Sequence, residues 1–180
     1  MKTKIEEIIE IPEGIQVEIE KDILKIKKEN LEVNMKIHGN FITRKEGNKI
    51  ILINEKATKK QKKEIKTNSA KIKNIIRGLQ EKYIYKLQIC HVHFPVSVSI
   101  KDNELIIKNF LGEKKERRAK ILDGVNVKIE KDIIIVESHD KEKAGQVAAN
   151  IEAATKIRNR DRRIFQDGIF IIEKCKGARR

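Results

Sequence analysis

The chain has 180 residues, with 41 lysines and arginines against 27 aspartates and glutamates, and its formal net charge is +14. This balance indicates a polyanionic partner, with nucleic acid favoured over an acidic membrane. No apolar run approaches the ~20 residues of a membrane-spanning helix, and the glutamate-rich first ten residues argue against a signal or transit peptide. The two cysteines, Cys90 and Cys175, lack the spacing of a disulfide framework, so we expect a cytoplasmic protein that does not bind membranes.

The first half of the chain alternates apolar and polar residues with a period of two. This pattern predicts a hairpin over residues 15–26, a strand over 31–37 and a second hairpin over 42–53. Gly47 and Asn48 supply the turn chemistry that the second hairpin needs.

A helix follows these strands. Thr58 and Gln61 have the spacing of a capping box, and the apolar residues after them fall on one helical face as far as Gly78, the expected end of the helix. The lysines of 59–73 are expected to ring its solvent face, with weak nonspecific attraction for polyanions at most. Alternation then returns and predicts a strand over 83–92.

The second half repeats this order at a shift of roughly eighty residues, which is typical of a duplicated unit. Residues 98–107 resemble 17–26, residues 125–136 resemble 42–53, and Asp140 is placed to cap an alanine-rich helix. We also interpret 165–172 as a repeat of the strand at 83–92. A rival alignment matches 14–23 to 124–133, but it leaves the first helix without a counterpart, so we interpret it as two similar hairpins.

The predicted fold is therefore α+β, with two tandem copies of a small domain. Each copy is a mostly antiparallel sheet with one helix packed on one face. The first copy covers residues 1–82, and the second covers 83–180 and ends in a basic tail.

Basic residues concentrate at the end of the chain, where residues 156–180 hold nine lysines and arginines against three acidic residues. Four arginines lie between the second helix and the last predicted strand: Arg158, Arg160, Arg162 and Arg163. Guanidinium groups bind phosphate bidentately and stay charged, so this cluster predicts an anion-binding surface rather than a solvated loop.

A second basic loop contains Lys114, Lys115, Arg117, Arg118 and Lys120. Its length indicates an extension that can contact folded RNA, although Glu113 and Glu116 also allow a charge-balanced, solvated loop. With aromatic residues at only 4%, a base-stacking platform is disfavoured, and we expect the protein to recognise the shape and phosphates of structured RNA.

Metal and catalytic sites have little support. On a strand, Cys90 faces away from His91 and His93, and no partner motif occurs elsewhere. Asp161, Asp167 and Glu173 are compatible with magnesium in an RNA-processing enzyme, which is the alternative function, but their arginine neighbours favour local charge balance. We expect no catalytic residue, no metal site and no cofactor.

Several motifs occur in one order along the chain: Ile-Pro-Glu-Gly at 11–14, Ile-Ile-Arg-Gly at 75–78, His-Phe-Pro at 93–95, Asn-Phe-Leu-Gly-Glu-Lys at 109–114, Ala-Gly-Gln-Val-Ala-Ala-Asn-Ile-Glu at 144–152 and Phe-Gln-Asp-Gly-Ile at 165–169. Through them the chain resembles the "L-six" family of large-subunit ribosomal proteins, in its archaeal and eukaryotic branch. It departs from that pattern at Lys115-Glu116, where a proline is expected.

The resemblance implies two tandem α+β domains without catalytic activity, of which the second binds large-subunit ribosomal RNA and the first projects outward. It further implies a position near the sarcin–ricin loop and the factor-binding face, with translational GTPases and other ribosomal proteins nearby. The segments expected to meet RNA are 109–118 and 158–168. With the flanking and tail residues, the predicted RNA-binding set is Lys114, Lys115, Arg117, Arg118, Lys156, Arg158, Arg160, Arg162, Arg163, Gln166, Lys174, Lys176, Arg179 and Arg180.

Overall fold

The structure is a computed structural model that describes residues 3–20, 23–29, 31–39, 41–161 and 163–175. The chain divides into two compact units, Met1–Glu81 and Lys82–Arg180. Both units combine antiparallel strands with one long helix, so the predicted α+β class is confirmed. Within the described residues, neither helix is long and apolar enough to cross a membrane.

The first unit forms two three-stranded antiparallel sheets and one helix. Its elements are β1 (Thr3–Glu10), β2 (Gln16–Glu20), β3 (Ile23–Lys28), β4 (Leu31–Lys36), β5 (Ile42–Glu46), β6 (Lys49–Ala57) and α1 (Lys59–Gln80). The sheet orders are β1-β6-β5 and β2-β3-β4. Both predicted hairpins are therefore confirmed, whereas β1 was not predicted.

Helix α1 begins at the predicted capping box. The backbone N–H of Gln61 donates to Thr58 Oγ1 over 3.4 Å, and the N–H of Thr58 donates to Gln61 Oε1 over 2.8 Å. The predicted end at Gly78 is wrong, because the helix continues to Gln80. The extra residues place Leu79 in the core at 3% exposure, and this burial outweighs the weak helix propensity of glycine.

The second unit repeats the plan and adds one strand. Its elements are β7 (Tyr83–Cys90), β8 (Ser97–Lys101), β9 (Glu104–Lys108), β10 (Arg117–Lys120), β11 (Asn126–Glu130), β12 (Ile133–Ser138), α2 (Lys141–Ala154) and β13 (Gly168–Glu173), with a short 3₁₀ turn at Phe110–Gly112. The sheet orders are β11-β12-β7-β13 and β10-β9-β8.

The strand orders show which elements are duplicates. Sheet β5-β6-β1 corresponds to β11-β12-β7, and β2-β3-β4 corresponds to β8-β9-β10. The counterpart of β7 is therefore β1, and the interpretation that residues 165–172 repeat the strand at 83–92 is wrong. Strand β13 is an addition to the second unit, paired with β7 from Gly168 opposite Cys90 onward.

The similarity between residues 14–23 and 124–133 has a local cause. Gly14 and Gly124 adopt nearly the same left-handed conformation, with φ of 84° and 82°. Each closes a turn that leads into a hairpin, but the hairpins are β2–β3 in the first unit and β11–β12 in the second. The expectation of two similar hairpins is thus confirmed.

Each unit has its own hydrophobic core, and the two cores share no residue. Ile65 and Ile72 of α1 are fully buried in the first core. In the second core, the small side chains of Ala144 and Ala148 are fully buried as well, which lets α2 lie close to its sheet. The segment between α2 and β13 is attached to this second core at both ends.

Candidate nucleic-acid interface

The arginine cluster lies in the segment between α2 and β13, and a buried carboxylate holds this segment. Asp167 is 0% exposed and accepts hydrogen bonds from the backbone N–H groups of Val92, over 3.2 Å, and His93, over 3.3 Å. Its Oδ1 also lies 3.0 Å from His93 Nδ1. Burial raises the pKa of Asp167, but the bonds from His93 and Val92 outweigh burial and hold this pKa below its ordinary value.

A stack of side chains extends from this carboxylate to the surface. The His93 ring stacks on Phe165 with a centroid distance of 5.1 Å and an interplanar angle of 27°. On Phe165, in turn, lies the guanidinium of Arg160, whose Cζ is 4.8 Å from the ring centroid. Because the ring holds the cation by its quadrupole, Arg160 is positioned before any ligand arrives.

The segment from residue 158 to residue 163 is here called the arginine segment, and hydrogen bonds at Asp161 link its described residues. The carbonyl of Asp161 accepts from the N–H of Phe165 over 2.9 Å, and its carboxylate binds Nε and Nη2 of Arg163 over 3.2 and 3.1 Å. These bonds from Arg163 lower the pKa of Asp161. Arg158 is exposed and has no partner among the described residues, while Arg162 lies outside them.

The predicted basic loop is shorter in the structure, because Arg117, Arg118 and Lys120 lie on β10 and pair with β9. The basic loop is here residues 109–116, which connect β9 to β10 through a tight start. Asn109 and Leu111 have positive φ values of 58° and 52°, and Asn109 Nδ2 donates to the carbonyl of Pro95 over 3.0 Å. Left-handed conformations are costly for leucine, so they persist here because Leu111 is buried in the core. The loop thus leaves the sheet along a fixed path.

Arg117 connects the basic loop to the end of α2. Its guanidinium makes a bidentate pair with Glu113, over 2.8 and 2.6 Å, and donates to the carbonyls of Ala154 and Lys156 over 3.0 and 3.4 Å. Its Cζ also lies 4.4 Å from the centroid of the buried Phe110 ring. These contacts occupy the guanidinium, so Arg117 acts here as a connector.

Glu113 links the charges of the two loops. Its hydrogen bonds with Arg117 are the main reason that its pKa is lowered, and the positive charge of Arg160 lowers it further. The charge of Arg160 thus acts on a carboxylate of the basic loop. Glu113 itself neutralises Arg117, and the remaining cations are left with excess positive charge.

The other predicted site residues differ in how the structure places them. Arg118, at 61% side-chain exposure, makes only long ion pairs, at 3.5 Å with Glu104 and 3.7 Å with Glu116. Four further predicted site residues are exposed: Lys114, Lys115, Lys156 and Gln166. Lys174 follows the far end of β13, roughly 20 Å along the strand from the arginine segment. Lys176, Arg179 and Arg180 lie outside the described residues.

Sequence reasoning missed the residues that position the arginines. His93 and Phe165 were given no role in the predicted site, and Asp167 was assigned to local charge balance, whereas its acceptors are filled by His93 and the backbone. Two features of the sequence could have revealed them: the His-Phe-Pro motif at 93–95 and the single aspartate, Asp167, directly before the last strand. Phe110 and Phe165 both lie under guanidinium groups, so the few aromatic rings support cations at this site.

The carboxylates suggested for magnesium have other partners. Asp161 binds Arg163, and Glu173 lies 2.9 Å from the ammonium of Lys86. Among the described residues, no group of three or more histidine, cysteine, aspartate or glutamate side chains is arranged to hold a metal ion. Asp161 and Glu173 therefore each neutralise a neighbouring cation.

Comparison with known proteins gives consistent matches. The family model described as Ribosomal protein L6 matches residues 94–168, which contain both the basic loop and the arginine segment. The Large ribosomal subunit protein uL6 of Sulfurisphaera tokodaii is 45% identical over 170 residues, which is 93% of this chain and 91% of that protein. The protein of the same name from Methanococcus vannielii is 42% identical over 173 residues, or 95% and 94% of the two chains.

Proposed function

Because this chain belongs to the ribosomal protein L6 family, we propose that it binds large-subunit ribosomal RNA through its second unit. It is a structural component of the large ribosomal subunit, not an enzyme, and it works with that subunit in the cytoplasm. Family membership thus decides against the alternative of a metal-dependent RNA-processing enzyme. The structure of the second unit suggests how this binding occurs.

The observation that carries the proposal is the stack that begins at Asp167 and ends at Arg160. A long cationic side chain normally loses rotamer freedom when it binds phosphate, and this loss offsets part of the gain. Here the cost is met during folding, because Phe165 already holds the guanidinium. Arg158, Arg163 and the exposed lysines of the basic loop surround Arg160 with further charge.

The location on the ribosome is part of the same proposal. By family resemblance, the second unit contacts RNA near the sarcin–ricin loop, where translational GTPases dock. The domains are assigned as 1–82, projecting outward, and 83–180, anchored on RNA, with other ribosomal proteins as neighbours. The tail residues Lys174, Lys176, Arg179 and Arg180 add contacts beyond the arginine segment.

Replacing Arg158, Arg160, Arg162 and Arg163 by alanine tests the proposal. Affinity for deproteinised large-subunit ribosomal RNA should fall, and the slope of log affinity against log salt should flatten by roughly 0.9 for each lost duplex phosphate contact and less for single strands. Filter binding between 50 and 200 mM salt measures both quantities.

A matched control removes the same charge from the same unit. Lys101, Lys128, Lys131 and Lys143 lie outside the two loops, and their replacement by alanine should leave the slope nearly unchanged. Equal slopes for the arginine variant and the wild-type protein would refute this placement of the site. Equal losses in both variants would show that only net charge matters.

A further inference from the structure

The net positive charge of the first unit comes almost entirely from one helix. Residues 1–58 contain eleven basic and eleven acidic residues, whereas α1 contains eight basic residues and one acidic residue, Glu64. The two sheets of this unit are therefore close to neutral, and α1 is a concentrated cation. This distribution differs from that of a uniformly lysine-rich surface.

The basic residues of α1 form a continuous stripe. Five exposed residues follow the helical spacing of three or four, with the small Ala70 filling the single gap: Lys59, Lys63, Lys66, Lys73 and Arg77. At 1.5 Å per residue this stripe is about 27 Å long. It faces away from the buried residues Ile65 and Ile72, so folding leaves it accessible.

None of these five side chains forms an ion pair with a carboxylate of the described residues. The neighbouring strands use their charges differently, since Lys25 pairs with Glu20 at 2.7 Å and Lys27 pairs with Glu18 at 3.5 Å. The carboxylates of the unit thus neutralise strand lysines and leave the helix stripe uncompensated.

The start of the stripe is arranged against the stability of the helix, whereas Arg77 lies in the last turn, where a cation is favourable. The first turn of α1 contains Lys59 and Lys60 and no acidic residue, so cations lie at the positive end of the helix dipole. Lys59 and Lys63 are also four residues apart, where like charges repel. The lysines of the first turn therefore do not serve the stability of the helix.

Lysine-rich composition does not account for the stripe, because the second unit provides an internal comparison. Helix α2 covers the equivalent sheet, yet its charged residues are Lys141, Glu142, Lys143 and Glu152, which sum to zero. A lysine-rich composition alone would have made both helices basic.

Resting on the proposed function, we propose that the outer stripe of α1 binds the phosphate backbone of ribosomal RNA. The first unit then not only projects outward but also provides a second contact surface, separate from the arginine segment. A straight row of flexible ammonium groups suits the repeating charges of a nucleic-acid strand and carries no base specificity. The first unit then contributes to RNA affinity through charge alone. This contact does not depend on Asp167, Phe165 or Arg160.

The test replaces Lys63 and Lys66 by glutamine in the full-length protein. If both contact phosphate, the slope of log affinity against log salt for deproteinised large-subunit ribosomal RNA falls by about 1.8. Between 50 and 200 mM salt, the wild-type protein should then lose about 12-fold more affinity than the variant does. A matched control replaces Lys36 and Arg44, two exposed strand cations of the same unit, by glutamine and should keep the wild-type slope.

A second measurement separates binding from folding. Removing like charges from α1 should leave the melting temperature unchanged or raise it, so a loss of RNA affinity with undiminished stability supports the proposal. An unchanged slope in the stripe variant overturns it. The proposal is also overturned if polyglutamate binds the wild-type protein more tightly than the stripe variant while ribosomal RNA binds both equally. In that case the partner of the stripe is an acidic protein. Because the quadruple arginine variant is measured in the same assay, failure of the stripe is distinguishable from failure of the arginine segment.

Discussion

At the scale of single residues, the partner that each charged side chain binds decides its role in the second unit. Asp167 is surrounded by basic sequence but binds a histidine and two backbone N–H groups. Arg117 lies at the start of β10, next to the basic loop, and its donors bind Glu113 and the end of α2. Both residues prepare the surface on which Arg160 and its neighbours are displayed.

We predict that Asp167→Asn lowers the free energy of unfolding by about 2 kcal/mol at pH 7, because an amide replaces a buried charged acceptor of several hydrogen bonds. The pKa of Asp167 is lower in the folded protein than its ordinary value of 3.8, so its contribution is present above that value and is lost as the pH falls below it. The difference between variant and wild type should therefore narrow below about pH 4. Urea unfolding at several pH values measures it.

Asp132→Asn provides the control for this pH dependence. The Asp132 side chain is exposed and has no hydrogen-bond partner among the described residues, so the change should cost less than about 0.5 kcal/mol. A constant difference between Asp167→Asn and wild type from pH 7 to pH 3 would show that the charge of Asp167 is not what stabilises the fold.

The sequence revealed the chemistry of these residues but not their partners. Thr58 and Asp140 were identified as helix caps because their bonds are local, and both caps are confirmed. The contact between His93 and Asp167 spans 74 positions of the chain, and no local pattern encodes it. Long-range polar pairs of this kind depend on strand order, which sequence periodicity alone does not determine.

At the scale of elements, α2 and β13 are joined by hydrogen bonds that also protect the edge of a sheet. Strand β13 lies at the edge of its sheet, where outward N–H groups lack a strand partner. The N–H of Ile169 donates to Thr155 Oγ1 over 2.9 Å, and that of Ile171 donates to Glu152 Oε1 over 3.3 Å. The last turn of α2 thus takes the place of a further strand.

Thr155→Val tests this arrangement with little change in shape. Valine cannot accept the hydrogen bond from Ile169, and Thr155 is only 3% exposed, so water does not readily replace the lost acceptor. We expect a loss of about 1–3 kcal/mol in the free energy of unfolding, measured by urea titration.

The matched change is Thr67→Val in α1. The hydroxyl of Thr67 donates to the carbonyl of Lys63 on the exposed side of the helix, where water is available. The expected cost is below about 0.5 kcal/mol. Equal losses for Thr67→Val and Thr155→Val would show that the bond to β13 contributes nothing specific.

Element boundaries were harder to predict than element types. Strand β1 was missed because Ile8 and Ile9 are adjacent and three glutamates interrupt the alternation, so its sequence has no clean period of two. Its strand form comes from pairing with β6, which is a long-range effect. The last strand begins at Gly168 rather than at Phe165, because Phe165 is engaged in the stack on His93.

At the scale of the whole molecule, duplication was the feature that the sequence predicted most securely. The paired residues Ile19 and Leu24 of the first unit correspond to Ile100 and Leu105 of the second, in the same register. Leu24 and Leu105 are fully buried in two separate cores, whereas Ile19 is partly buried and Ile100 is 42% exposed.

These equivalent positions allow a paired experiment. Leu24→Ala and Leu105→Ala each empty a fully buried site and should each cost about 2–5 kcal/mol. Because the cores are separate, Leu24→Ala should speed amide hydrogen exchange in the first unit only, and Leu105→Ala in the second unit only. Exchange mass spectrometry resolves the two. Faster exchange throughout the chain after either change would contradict the independence of the cores.

The two helices also differ in the length and destination of the segment that leaves each of them. After α1 only residues 81–82 intervene before β7, which joins the sheet of the other unit, whereas after α2 the chain runs through residues 155–167 and returns as β13 to its own sheet. Only the second unit therefore has a connecting segment whose two ends are both attached to the same unit, and this segment contains the arginines. The two copies of the domain thus differ in the segment that follows each helix, as well as in the charge of the helices themselves.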